Sequence, residues 1–78
     1  PNPFTQSTTI SFTTKGGHTL IQIMDVLGRV IKTPVDREYN QPGTYKVSFD
    51  SYGLPTGVYY MRFQNEMAQQ VKPMLKVR

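Results

Sequence analysis

Short runs of alternating apolar and polar residues make up most of the chain, and they are rich in Val, Ile, Thr, Tyr and Phe. Gly, Pro, Asn and Asp separate these runs at intervals of about eight to twelve residues, and no stretch of useful length has the period of a helix. The pattern is typical of an antiparallel β-sandwich. It predicts strands at about 8–13, 18–24, 30–35, 44–49, 58–64 and 70–77, with a short additional piece around 37–39.

The run that follows Pro42-Gly43 alternates most cleanly, because Tyr45, Val47 and Phe49 share one face and polar residues occupy the other. In each run, the apolar residues that share a face are expected to form the core. The predicted core contains Ile10, Phe12, Ile21, Ile23, Ile31, Tyr45, Val47, Phe49, Tyr59, Phe63 and Leu75. We therefore expect an all-β, immunoglobulin-like antiparallel sandwich of about seven strands, or six, with Greek-key connections.

Two prolines mark edge strands or strands that end early, because Pro34 and Pro73 cannot donate a ladder hydrogen bond. In the last run, the alternation predicts that Val71, Leu75 and Val77 point into the core. The same alternation places three cations on the outer face, namely Lys72, Lys76 and Arg78.

Glycine, proline and aspartate define the predicted turns. In Asp25-Val26-Leu27-Gly28, the carboxylate can accept hydrogen bonds from nearby backbone N–H groups while the glycine takes a left-handed conformation. The residues that these turns single out are Asp25, Gly28, Pro42, Gly43, Gly53 and Gly57.

The 78 residues are expected to form a single domain, residues 1–78, near the lower size limit for unaided folding. The chain has no cysteine, which excludes disulfide bonds, thiolate zinc sites and cysteine nucleophiles. No apolar run approaches the ~18 residues of a membrane helix. The amino end does not resemble a signal peptide, so a signal for export is expected upstream on a parent chain.

The net charge of +4 is a mild excess of basic residues, and no basic run is long enough to indicate nucleic-acid binding. Catalysis is not expected either. The single histidine, His18, cannot complete a triad or a zinc site alone, and Asp36 with Glu38 is an improbable acid pair. We therefore predict no enzymatic activity, no cofactor, no metal and no small-molecule substrate.

The tyrosines leave two interpretations open. Tyr39, Tyr52 and Tyr60 could form an exposed platform for sugars or an interface, or they could pack in loops and in the sandwich, which the pattern favours. Tyr59 is predicted to be a corner tyrosine whose hydroxyl bonds back to the preceding loop.

Read together, the turn motifs resemble those of a known family. They are Pro1-Asn2-Pro3-Phe4 with Thr8–Phe12, then Asp25–Arg29, Pro42–Tyr45, Gly53–Tyr60 and Lys72–Arg78. In this order and spacing, they resemble the type A C-terminal sorting domain of the type IX secretion system of Bacteroidetes and related bacteria.

The resemblance implies a transport address at the carboxyl end of a secreted cargo protein. In the family, the cargo passes through the periplasm, the outer-membrane translocon recognises the folded domain, and a surface sortase usually removes it and anchors the cargo. The expected partners are therefore the translocon and the sortase, and the cargo is expected at the outer membrane, at the cell surface or secreted. The family's terminal strand carries much of the signal, which corresponds here to Lys72, Pro73, Met74, Leu75, Lys76, Val77 and Arg78.

Pro73 and Pro34 depart from the residues usual in that family, which leaves the lengths of the flanking strands open. Similar sandwiches occur in the flagellar hook-capping protein and in immunoglobulin-like linkers. The alternative function is accordingly an immunoglobulin-like spacer or a carbohydrate-binding module of a secreted multidomain protein. The isolated domain is expected to be a monomer or, through its open edges, a weak dimer.

Overall fold

The computed structural model describes residues 2–4 and 6–77, with side chains described from residue 6 onwards. Over these residues the fold is all-β, with six strands of eight to ten residues and one strand of three residues. The strands are β1 (Asn2–Phe4), β2 (Ser7–Thr14), β3 (Gly17–Met24), β4 (Val30–Tyr39), β5 (Gly43–Asp50), β6 (Gly57–Gln64) and β7 (Gln69–Lys76).

The strands form two sheets of unequal size. The larger sheet has the order β1-β7-β6-β3-β4, and the smaller sheet contains only β2 and β5. All pairs are antiparallel except β1 with β7. The chain crosses repeatedly between the sheets, as the predicted Greek-key connections require. The all-β sandwich expected from the alternation is confirmed.

The prediction from the sequence pattern differs from the structure at two short segments. Residues 37–39 are not a separate strand, since they are the end of β4. The three-residue β1 was not predicted, because Asn2–Phe4 is too short to show an alternation.

Pro34 lies at an irregularity of β4. Opposite it, the pairing with β3 shifts register, from Ile21 with Val35 to Ile23 with Lys32. β4 is an edge of the larger sheet, as Pro34 predicted, but it does not end early. A bulge removes the need for a ladder hydrogen bond from the proline, so the strand continues to Tyr39.

The core lies between the two sheets and is close to the predicted one. Six predicted residues are buried, namely Ile10, Phe12, Ile21, Ile23, Phe49 and Tyr59. Four are partly buried and pack against these, namely Ile31, Tyr45, Val47 and Phe63. The prediction missed Met24, Val35, Tyr39 and Met74, which are also buried. Leu75, which was predicted to be in the core, is only half-buried and does not join the core cluster.

The corner tyrosine is confirmed: the Tyr59 hydroxyl donates a 2.6 Å hydrogen bond to the carbonyl oxygen of Pro55. The Tyr59→Phe substitution removes this bond and leaves the buried ring in place. We expect it to lower the free energy of unfolding by about 0.5–1.5 kcal/mol, which is typical of one hydrogen bond. Urea unfolding followed by circular dichroism measures the loss, and a variant as stable as the parent would show that the bond contributes nothing.

Candidate functional site

Most of the turn motifs lie at one end of the sandwich. The turn 25–29 joins β3 to β4, and the loop 51–56 joins β5 to β6. In the ladder between β6 and β7, Gly57 lies opposite Lys76, so the end of the terminal strand reaches the same place. We call residues 25–29, 51–57 and 76–77 the loop end. The Pro42-Gly43 turn joins β4 to β5 and lies at the opposite end.

Asp25 holds the turn 25–29 together, as the sequence predicted. Its carboxylate accepts hydrogen bonds from the backbone N–H groups of Leu27 and Arg29, at 2.9 and 3.0 Å, and from Nε of Arg29 at 2.7 Å. Gly28 has a φ of 82°, in the left-handed region that favours glycine. The backbone hydrogen bond from Arg29 is the main reason why the pKa of Asp25 is lowered from its ordinary value of 3.8.

The lowered pKa predicts an acid-sensitive contribution to stability. Asp25 stabilises the fold above its unfolded-state pKa, and the contribution is lost as the pH falls through the lower, folded-state pKa. We expect Asp25→Asn to be less stable than the parent at about pH 6 and the difference to shrink below about pH 4. Thermal unfolding at several pH values measures this. Arg29→Gln is the control, because it keeps the backbone donor and should keep most of the pH dependence. An Asn variant with an unchanged pH profile would contradict the assignment.

The loop 51–56 is anchored at its buried first residue. Ser51 donates its N–H to the carbonyl oxygen of Gln6 at 2.8 Å, and its own carbonyl accepts the N–H of Leu54 at 3.0 Å. The same carbonyl accepts a 2.7 Å hydrogen bond from Nζ of Lys76. The terminal strand is therefore tied directly to this loop. No sequence pattern indicates this contact, because the two residues are 25 positions apart.

The predicted faces of the terminal strand are wrong. Met74 is only 6% exposed and lies opposite the buried Tyr59, whereas Val71 is 52% exposed. Lys72 is on the face of Met74 and lines a groove beside the core. The inward face therefore carries one buried Met flanked by lysines, and Lys76 on that face reaches Ser51. Val77 is half-buried, and Arg78 lies outside the described residues.

The terminal strand is an edge over only part of its length. β1 pairs with residues 74–76 and leaves 69–73 without a second neighbour in the part of the chain that the structure describes. Pro73 lies in this open half. The edge predicted from the proline is thus confirmed for one half of the strand, and the other half is covered.

Large apolar side chains are exposed at the loop end. Leu27 is 75% exposed, Tyr52 is 80% exposed, and Val26 is also exposed. Polar groups of the same turns are used in hydrogen bonds that fix the backbone. The loop end therefore combines hydrogen-bonded turns with exposed apolar side chains, and exposed apolar surface is common at protein interaction sites.

A comparison with protein families found a match that covers nearly the whole chain. The model of the family described as "Secretion system C-terminal sorting domain" matches residues 1–77. The chain belongs to this family. Neither a search of curated proteins nor a search of solved structures found a match.

Family membership makes the chain a C-terminal sorting signal of type IX secretion. It implies interaction with the type IX secretion machinery and export to the cell surface or secretion. A family of secretion signals also suggests a role without catalysis.

The polar groups of the sorting domain include one exposed cluster that the sequence did not predict. His18 lies beside Asp36, with Nε2 and Oδ1 2.6 Å apart, and its Nδ1 is 4.0 Å from Glu38. The three side chains project from neighbouring positions of β3 and β4. They form an exposed polar cluster, and exposed contacts of this kind contribute little to stability.

Residues 2–4 and 6–77 contain no group of three or more His, Cys, Asp or Glu side chains that could hold a metal ion. Over the same ranges, no helix is long and apolar enough to cross a membrane.

Two of the three tyrosines of the possible platform are not exposed, which supports the packing interpretation that the pattern favoured. Tyr39 is buried in the core, where its ring contacts Phe12 and Tyr45, and Tyr60 is half-buried. Tyr52 alone of these three is exposed. A single exposed tyrosine does not form the stacking platform that the carbohydrate-binding alternative requires.

Proposed function

We propose that the outer-membrane translocon recognises the loop end of the sorting domain together with the terminal strand, Lys72–Arg78. In this proposal the cargo crosses the periplasm with the domain folded. A surface sortase then removes the domain and anchors the cargo. The domain carries the address and is the substrate of the sortase.

The observation that carries the proposal is the convergence of the family's turn motifs at the loop end. This end contains Asp25, Gly28, Gly53 and Gly57. The contact of Lys76 with Ser51 joins the terminal strand to it. A receptor at this end would contact segments that are far apart in the sequence. It could therefore distinguish a folded domain from an unfolded one.

Exposed apolar side chains support the same conclusion. Burial of about 100 Å² of apolar surface contributes roughly 2.5 kcal/mol, and Leu27 and Tyr52 both offer surface that the fold leaves in water. Neither side chain is needed for the core. An interface would bury this surface without disturbing the core.

The test uses a reporter protein with an ordinary export signal and this chain at its carboxyl end. We expect the parent fusion to reach the cell surface. The double variant Val26→Ser/Leu27→Ser should fold normally, because surface changes alter stability by about 0.5 kcal/mol or less. Its reporter should instead accumulate in the periplasm with the domain still attached, as fractionation and immunoblotting would show.

Val71→Ser is the matched control, since Val71 is also exposed and apolar but lies opposite Arg62 in β7, away from the loop end. This variant should be secreted like the parent. Normal secretion of the loop-end variant would place recognition elsewhere on the sandwich. A parent fusion that stays in the periplasm would contradict the sorting role of this chain itself.

A further inference from the structure

The smaller sheet has an open edge that the sorting role does not explain. β2 pairs with β5 over all eight of its residues, and no other described strand pairs with its second edge. Alternate residues of β2 therefore direct backbone N–H and C=O groups away from β5. An edge of this kind is a template for one more strand.

β2 lacks the features that usually protect an edge. Residues 7–14 contain no charge, no proline and no shift of register against β5. The edge strand β4 differs, since it carries Pro34, a register irregularity and charged residues that include Asp36 and Glu38. The protection is thus present at the edge formed by β4 and absent at the edge formed by β2.

A groove runs along the open edge of β2. Two adjoining cavities of about 350 and 450 Å³ share four residues in their walls, namely Ile10, Ser11, Met61 and Lys72. Together they extend from Thr8 to Lys15, a distance of roughly 20 Å for extended chain. The groove therefore has the length of a strand.

The walls of the groove indicate what would occupy it. Phe12, Phe63 and Met67 provide apolar surface. Lys15 and Lys72 are the charged side chains among the described residues that line the two cavities, and no carboxylate is among those residues. Lys15 lies at one end of the groove, whereas Lys72 lines both cavities. An extended segment that combines apolar side chains with carboxylates would complement these walls.

A second copy of the chain does not fit this edge. In an antiparallel pair of β2 strands related by a twofold axis, both larger sheets would lie in the same layer. β7 lies beyond β2, since Gln70 and Lys72 line the groove, and β1 lies beyond β7. The projecting strands of the two copies would overlap, which disfavours a symmetric dimer at this edge.

We infer that β2 accepts one additional β-strand, donated by an extended, acidic segment of a protein of the secretion machinery. The donated backbone hydrogen-bonds to the open edge, its alternate apolar side chains enter the groove, and its carboxylates pair with Lys15 and Lys72. This mode of binding rests on the geometry of β2, and only the biological source of the segment rests on the proposed function.

The test uses a synthetic nine-residue peptide, acetyl-Glu-Glu-Val-Thr-Val-Thr-Val-Glu-Glu-amide, titrated into the isotopically labelled chain. We expect amide hydrogen exchange to slow at alternate residues of β2, and binding in the micromolar to millimolar range. Two further peptides carry N-methyl groups, one on all valine amides and one on all threonine amides. Since alternate residues of a strand face opposite edges, one of these peptides should lose binding and the other should keep it.

The double variant Lys15→Gln/Lys72→Gln tests the charges, and we expect about tenfold weaker binding at low salt. Lys32→Gln/Lys46→Gln removes the same charge from two exposed lysines outside the groove and should bind within about twofold of the parent. Equal binding by both methylated peptides would overturn the proposal, as would protection outside β2 or no binding at all. All of these measurements use the isolated chain, so their failure is distinct from a failure of secretion.

Discussion

Replacing Phe49 with alanine is expected to lower the free energy of unfolding by about 3–5 kcal/mol. The side chain is 2% exposed and belongs to the core cluster between the two sheets. A domain of 78 residues has a total stability of about 4–12 kcal/mol, so the loss is a large part of it. The midpoint of thermal unfolding should fall by at least about 12 °C.

Thermal unfolding followed by circular dichroism measures this effect, and Tyr52→Ala is the matched control. Tyr52 is also aromatic and lies only three positions further along the chain, but it is exposed. Its removal should change the midpoint by no more than about 4 °C. Similar midpoints for the two variants would mean that Phe49 does not occupy the core.

Met74→Ala is expected to have the second largest effect, a loss of about 2–5 kcal/mol. Met74 is the buried residue of the terminal strand, and it packs in the core cluster opposite Tyr59. The size of the effect depends on how far the two sheets can close over the cavity that the substitution leaves.

Val71→Ala is the control, because it truncates an apolar residue of the same strand on the other face. It should change the free energy of unfolding by only about 0.5 kcal/mol. Urea unfolding of both variants decides between the two assignments of the faces. Suppose instead that Val71→Ala lowers the free energy of unfolding strongly and Met74→Ala leaves it unchanged. The buried face of the strand would then be the one predicted from the alternation.

The structure also changes how the cations of the terminal strand are understood. The sequence pattern predicts that Lys72 and Lys76 both lie on the outer face of the terminal strand. There, both would serve recognition or protect an edge. In the fold, Lys76 bonds to the carbonyl of Ser51 and Lys72 lines the groove beside β2. The charges therefore have separate roles, and replacing them together would mix an effect on folding with an effect on binding.

The alternation of residues was sufficient to determine the fold class and most of the core. Residues 43–50 form a strand where Tyr45, Val47 and Phe49 alternate, and Asp25 with Gly28 forms the predicted turn. These features depend on interactions between residues close in the chain and on the period of two that every strand has. The turn motifs also carried the resemblance that the family match confirmed.

The tertiary structure alone decided which face of the terminal strand is buried and which strands are exposed as edges. Val71, Leu75 and Val77 outnumber Met74 as apolar residues, but burial depends on what lies opposite each face. The smaller sheet covers the face of Met74 near the centre of the sandwich, and Lys76 uses its long side chain to reach a carbonyl at the margin. The open edge of β2 likewise follows from the number of strands in its sheet, which long-range pairing determines. The sequence of residues 7–14 does not indicate how many strands pair with β2.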